Sequence, residues 1–387
     1  MDKIKVGVIG AGTMGSGIAQ VAAAAKHETL LFDADPQMLA KAKKGHAEIM
    51  MKLVEKGKIP RDEADMTLSR IRYATSPGEF SECGLVIEAI VENLDIKQKL
   101  FNDIEKIVDG DCLLATNTSS LSVTSIASVC NRPERVIGVH FFNPAPLMPL
   151  VEIVKGLATE TSIEKKTKDI VDGMGKTSVL AKDTPGFIVN RIARPYYGES
   201  IRIHEEGIAD FATIDHAMKS HGFKMGPFEL MDMIGNDINY TVTETVWRQL
   251  FFDPRYKPSL TQKRLFEARR FGRKSGHGYY SYAPGSVMPK PAPDEGRSEK
   301  IFLRVVSMLI NEAADALYLG IASREDIDLA MTKGVNYPKG LLAWCDEIGA
   351  GKVLDVVNGL REDYSEERYR PSMLLKKMAK EKRKFYE

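Results

Sequence analysis

The chain has 387 residues, with 54 Lys and Arg against 53 Asp and Glu. At roughly 150 residues per domain that length predicts two or three domains, and so even a charge balance carries none of the basic footprint of a nucleic-acid or membrane-surface binder. The four cysteines, Cys83, Cys112, Cys130 and Cys345, form no CxxC pair, which argues against a disulfide framework or a metal site and fits isolated thiols in a reducing compartment, the cytoplasm. No apolar run approaches the length of a membrane span, and IKVGVIG already begins at Ile4, so neither a spanning helix nor an export leader is expected.

In chain order, the strand-like runs IKVGVIG, ETLLFDAD, LVIEAIVEN, CLLATNTS, RVIGVHFFN and SVLAKD alternate with helical patterns over the first half. That alternation predicts a parallel sheet covered on both faces. The first turn reads GAGTMGSG: Gly10 permits a tight turn, Gly12 lets backbone approach a pyrophosphate, and Gly15 lets helix pack on strand. Thr13 and Met14 open the helix whose positive end would face the phosphates. Asp33 ends the next strand and is placed to accept both ribose hydroxyls of an adenosine, where it would repel a 2′-phosphate. The turn therefore predicts an α/β, Rossmann-type doubly wound sheet over residues 1–184 that binds NAD rather than NADP. The competing readings are a glycine turn with no ligand and, for Asp33, a helix cap, a task Asp35 could equally perform.

RVIGVHFFNP has the strand-then-loop form whose carboxyl end faces the ligand crevice of such a sheet. His140 would point there. Twelve residues on, Glu152 stands inside LVEIV, where a carboxylate is costly to bury unless a cation or a strong donor meets it. The PAPLMP turn is expected to lay the two strands side by side, pairing a general base with the anion that orients it. For His140 the competing reading is a core histidine with satisfied nitrogens.

After DTPGF (183–187) the texture becomes helical, with a helical domain expected over 185–282 and a Pro-rich linker over 283–298. GIADFATIDHAM at 207 matches GIASREDIDLAM at 320, and RYKPSL at 255 matches RYRPSM at 368; Arg191 and Glu199 recur as Arg304 and Glu312, all at an offset of 113. Four landmarks in one register mark residues 299–387 as a second, degenerate copy of the helical domain. The copy has Leu303 where the first has Asn190, and no counterpart of GRKSGHGYYSY is evident in it.

Taken together, GAGTMGSGIA, IVENLDIK at 90, TNTSSLSVT at 116, VHFFNPAPLMPLVEIV at 139, KDTPGFIVNRI at 182 and GPFELMDMIG at 226 make the chain resemble, over nearly its whole length, the NAD-dependent (S)-3-hydroxyacyl-CoA dehydrogenases. The resemblance implies reversible oxidation of a 3-hydroxyacyl-CoA, with His140 and Glu152 as the catalytic pair and Ser119 and Asn190 hydrogen-bonded to the reacting substrate. It also implies cofactor contacts by Glu92, Lys97, Asn117 and Asn143, an acyl-CoA lying in an interdomain cleft, and coenzyme A phosphates drawn to lysines such as Lys56. Against these stand plainer readings: Ser119 as a helix cap, Asn190 as an interdomain tie, Glu92 and Lys97 as a salt-bridged helix start, and Lys56 as part of a solvated face. In single-copy relatives the helical domain forms the dimer contact, so the second copy implies a pseudo-dimeric monomer. Two alternative functions remain open, a free hydroxy-acid dehydrogenase of gulonate type with an arginine clamp at Arg191 or Arg194, and a non-catalytic NAD-binding structural or sensor protein.

Overall fold

The computed structural model describes residues 3–292 and 294–386; Met1 and Asp2, Pro293 of the expected linker and Glu387 lie outside them. The chain divides into two compact units, one ending at Thr184 and one beginning at Pro185.

The first unit is built on one eight-stranded sheet in the order β3-β2-β1-β4-β5-β6-β7-β8. The strands are β1 (Lys5–Ile9), β2 (Glu28–Phe32), β3 (Ile71–Tyr73), β4 (Leu85–Glu88), β5 (Leu113–Thr116), β6 (Val136–Phe141), β7 (Leu150–Lys155) and β8 (Thr177–Lys182). Every neighbouring pair is parallel except β6 and β7. The exception follows from the connection: parallel neighbours need a long crossover, whereas β6 and β7 are joined by eight residues, enough only for a hairpin. Helices α1 (Thr13–Ala24), α2 (Pro36–Glu55), α3 (Arg61–Ser69), α4 (Leu94–Ile104), α5 (Val123–Ala127) and α6 (Thr161–Gly173) supply the crossovers. Ile18 and Val21 of α1 and Ile170 and Val171 of α6 join one core, while Phe101 and Ile104 of α4 and Ile126 of α5 join another with the opposite strand residues. With both faces covered, β4, β5 and β6 are buried at every position, which is why they read as continuous apolar runs. Strand β3 has three residues and left no such run.

The second unit is helical: α7 (Val189–Ile192), α8 (Arg194–Glu205), α9 (Phe211–Ser220), α10 (Pro227–Ile234), α11 (Asn236–Gln249) and α12 (Leu260–Glu267), then α13 (Glu295–Tyr318), α14 (Arg324–Gly334), α15 (Leu341–Ile348), α16 (Ala350–Tyr364) and α17 (Met373–Glu381). Helix α13 reaches into the expected linker, because Asp294 caps it by accepting the Arg297 N–H at 2.6 Å. Matching devices recur in the two halves. Asp215 on α9 accepts the backbone N–H groups of Phe228 and Glu229 at 2.8 and 3.0 Å; Asp328 on α14 accepts those of Leu342 and Ala343 at the same two distances. Each aspartate lies against a glycine, Gly226 or Gly340, where a Cβ would come within 2.3 Å of it. One expectation is corrected here. Asp232 accepts the N–H groups of Tyr279 and Tyr280, and Asp346 accepts those of Phe385 and Tyr386, so the second copy does keep a counterpart of the GHGYYSY ending, shortened to two aromatic residues.

The copies are joined reciprocally. Arg191 of the first contacts Glu312 of the second at 2.7 Å, and Arg304 of the second contacts Glu199 of the first at 3.1 Å. Tyr256 donates to Glu312, and Tyr369 to Glu199. A contact that reads the same after the partners are exchanged is the pattern of an isologous interface.

Candidate functional site

The glycine turn lies between β1 and α1, beside β4, where the strand order changes direction; ligands of open α/β sheets bind at such points. Gly10 has φ +105°, and a Cβ there would sit 2.5 Å from the Ala89 carbonyl oxygen; at Gly15 it would lie 1.7 Å from the oxygen of Gly10. Neither position admits a side chain. At Gly12 a Cβ would meet nothing within 4 Å, so the backbone there is open to close approach by a pyrophosphate, at the N-terminus of α1. A crevice of about 780 Å³ runs past Gly12, Thr13, Met14, Asp33 and Val91, within the size range of ligand sites. These features fit a dinucleotide.

Asp33 faces that turn: its Oδ2 accepts the Ala11 N–H at 2.7 Å and its Oδ1 that of Asp35 at 2.9 Å. The cap of α2 is Asp35, which accepts the Gln37 N–H at 2.8 Å. The competing cap reading of Asp33 is therefore met by its neighbour.

Beyond β5 the chain turns through Thr118, Ser119 and Ser120, and this turn closes on one carboxylate oxygen. Glu92 Oε1 accepts the Thr118 hydroxyl at 2.6 Å and the N–H groups of Ser119 and Ser120 at 3.0 and 3.2 Å, with the Ser119 hydroxyl at 3.4 Å. Its other oxygen lies 3.2 Å from Lys97 Nζ. Burial opposes ionisation of Glu92, but Lys97 and the donors of the turn together hold its pKa below the ordinary value. Lys97 is 1% exposed and is bound at 2.5 Å by Glu88 as well. For Lys97 the salt-bridged arrangement is what the geometry shows, and the cofactor is not needed to explain its position. Ser119 does not cap the following helix: Ser122 does, accepting the Ser125 N–H at 3.1 Å, while Asp183 at the end of β8 takes the N–H groups of Val123 and Thr124 at 3.0 and 2.7 Å.

His140 and Glu152 are direct cross-strand partners in the β6–β7 register. The imidazole Nδ1 lies 2.7 Å from Glu152 Oε2, with Glu152 fully buried and His140 6% exposed. The Phe142 ring packs 4.6 Å from the imidazole. Asn117 Oδ1 accepts the Phe141 N–H at 2.8 Å, tying the serine turn to the strand of the histidine. Asn143 is exposed and precedes a cis proline; Lys56 is exposed at the C-terminal end of α2. Asn190 stands in α7 of the other unit.

Two residues that carry this arrangement were not singled out from the sequence. Glu88, 1% exposed, accepts the Ile90 N–H, Lys97 Nζ and the Thr116 hydroxyl. Its signal, a lone carboxylate in LVIEAI, is the one that drew attention to Glu152. Asp183 gave no signal apart from its place in KDTPGF.

Comparison with known proteins gives the following. The family model described as "3-hydroxyacyl-CoA dehydrogenase, NAD binding domain" matches residues 5–184, and "3-hydroxyacyl-CoA dehydrogenase, C-terminal domain" matches residues 186–282 and 301–385. A 3-hydroxyadipyl-CoA dehydrogenase of Escherichia coli K12 is 37% identical, over 97% of this chain and 97% of that protein. The human mitochondrial hydroxyacyl-coenzyme A dehydrogenase is 42% identical over 72% of this chain and 90% of its own length. The crystal structure of a 3-hydroxybutyryl-CoA dehydrogenase from Escherichia coli K12 superimposes with a TM-score of 0.92 at 36% identity, covering 98% of each chain.

Proposed function

We propose how a chain that belongs to the 3-hydroxyacyl-CoA dehydrogenase family, and so oxidises 3-hydroxyacyl-CoA with NAD, divides that chemistry among its own residues. His140 is the general base. With its Nδ1 proton directed at Glu152, its Nε2 takes the hydroxyl proton of substrate carbon 3, and the Glu152 carboxylate then faces an imidazolium inside the sheet. NAD, when bound, accepts the hydride from that same carbon. Ser119 and Asn190 hold the carbon-3 oxygen and the thioester carbonyl with neutral donors. Gly10, Gly12, Thr13, Met14 and Gly15 receive the pyrophosphate, Asp33 the adenosine ribose, and Asn117 and Asn143 the nicotinamide end. Glu92 acts by fixing the serine turn, and Lys97 by fixing Glu92. Lys56 attracts the coenzyme A phosphates.

The observation that supports this reading most is the 2.7 Å contact between His140 and a fully buried Glu152. An isolated carboxylate there would be costly. The gulonate-type alternative needs an arginine for a free carboxylate two bonds from carbon 3. Arg191 is held by Glu312 at 2.7 Å and Asp315 at 3.7 Å, whereas Arg194 donates to the Thr243 hydroxyl at 3.0 Å, and the free-acid substrates in the following test decide between the two readings.

The test is NADH absorbance with acetoacetyl-CoA, acetoacetate and 3-oxogulonate as separate substrates, for the natural protein and His140→Gln. Oxidation with the thioester alone, reduced about a hundredfold or more in the variant, is the expected result. Equal rates in the two proteins would remove His140 from the mechanism.

We also propose that the second helical copy occupies the place a partner subunit takes in single-copy relatives, making the chain a pseudo-dimeric monomer whose first copy, residues 185–282, carries the substrate contacts and whose second, 299–387, is chiefly architectural. The reciprocal Arg191–Glu312 and Arg304–Glu199 contacts support it. A cytoplasmic location agrees with four buried free cysteines and with the described residues holding no helix long and apolar enough to cross a membrane.

A further inference from the structure

Residues 142–149 join β6 to β7 and so connect the strands of His140 and Glu152, yet they are short of hydrogen-bond donors. Pro144, Pro146 and Pro149 lie among them, and proline has no N–H to give. The N–H groups of Leu147 and Met148 both go to the Pro144 carbonyl, at 2.9 and 3.0 Å. The carbonyls of Ala145 and Met148 are met from outside the loop by one side chain, Lys176, whose Nζ donates to them at 2.5 and 2.9 Å. Lys176 immediately precedes β8 and is half-buried. Burial lowers its pKa from the ordinary lysine value, with no carboxylate acting the other way. An ammonium drawn partly out of water without a counter-ion is costly, and its charge strengthens the two hydrogen bonds that replace its hydration.

The same loop also rests on α1. A Cβ added at Gly17 would lie 3.2 Å from the Ala145 Cβ and 3.1 Å from Pro146 Cδ, so this glycine lets the loop seat on the helix that begins at the glycine turn, and Ala145 is 1% exposed. The loop carries Phe142, whose ring lies 4.6 Å from the His140 imidazole, and Asn143, which is exposed. A misplacement of about 1 Å at a reacting centre can cost roughly a hundredfold in rate. Catalysis is therefore more sensitive to the seat of this loop than the fold is.

We propose that Lys176 is a positioning residue for the dehydrogenase reaction: by holding the Ala145 and Met148 carbonyls it fixes, together with the contact at Gly17, the loop that sets Phe142 against the general base and presents Asn143. The proposal rests on the dehydrogenase reading and on the role given to His140.

The test is the single-turnover rate of NADH oxidation by saturating acetoacetyl-CoA, measured beside the Kd of NADH by fluorescence titration and a thermal melt. Lys176→Met is expected to lower the rate about tenfold or more, while the Kd of NADH changes less than about threefold because the glycine turn and Asp33 are untouched. Gly17→Ala, which crowds the loop by a few tenths of an ångström, should lower the rate about two- to fivefold. Both substitutions act through one loop, so the double variant should miss the product of the single losses by about threefold or more. A folded Lys176→Met protein with the natural rate overturns the inference and leaves a purely structural lysine, as do single losses that simply multiply. If Lys176→Met does not fold, Lys176→Gln, which keeps a neutral donor, replaces it in both comparisons under the same criteria. A natural protein inert toward acetoacetyl-CoA overturns the dehydrogenase reading, and this inference with it.

Discussion

Replacing Glu152 by Gln keeps the shape beside His140 but removes the charge that an imidazolium would face. We expect kcat to fall about 10²- to 10⁴-fold, with little change in melting temperature because the variant buries no ion; steady-state kinetics and a thermal melt check this, and unaltered kcat would exclude the carboxylate from proton transfer. At Asp33, substitution by Ser should raise the KM for NADH about tenfold and bring that for NADPH closer to it, since the 2′-phosphate no longer meets an anion. Both residues were legible as single letters, Glu152 because a carboxylate in an apolar strand needs a partner and Asp33 because it ends the second strand. Glu88 carried the same signal as Glu152 and was passed over, because its partner Lys97 lies nine residues on, across a loop, rather than in a visible hairpin. Ser119 and Asn190 have no physical signal of their own; only the resemblance singled them out.

The serine turn is held by neighbouring elements rather than by its own sequence. Lys97 on α4 joins Glu88 at the end of β4 to Glu92 in the loop between them, so Lys97→Met would leave a fully buried carboxylate without its cation. The expected loss is about 3–5 kcal/mol in urea unfolding, together with reduced turnover as the Thr118–Ser120 turn loosens. Asp183→Ala should cost less, about 1–3 kcal/mol, by leaving two N–H groups of α5 without an acceptor. Helix α2 contributes a pH dependence. His46, 1% exposed, lies 2.9 Å from both Ser16 on α1 and Tyr73 on β3, and burial depresses its pKa below the usual 6.5 although the Ser16 carbonyl acts the other way. Because the unfolded chain binds this proton more readily, the stability it contributes is present above about pH 6.5 and is lost as the pH falls toward the folded value. Urea unfolding at pH 7.5 and 5.5 should show a smaller loss for His46→Gln than for the natural protein. None of these bonds was readable in advance, since each joins segments 26 or more residues apart or crosses a loop. The strands were legible because burial on both faces made them continuous apolar runs, and the exception, β3, is too short to make one.

For the molecule as a whole, the repeat was the most legible feature: a shared offset of 113 needs no knowledge of contacts. What it concealed was the short aromatic ending at Phe385 and Tyr386, whose spacing from Asp346 differs from that of Tyr279 and Tyr280 from Asp232. Light scattering in solution should give the mass of a single chain, and a stable dimer docked through the first copy would refute the pseudo-dimer. The reciprocal arginine–glutamate contacts have one more implication. A two-subunit enzyme held by such contacts comes apart when it is scarce, whereas here both halves of the contact are tethered at a high effective concentration that does not depend on how much protein is present. Turnover per molecule should therefore stay constant from micromolar enzyme down to the detection limit of the assay.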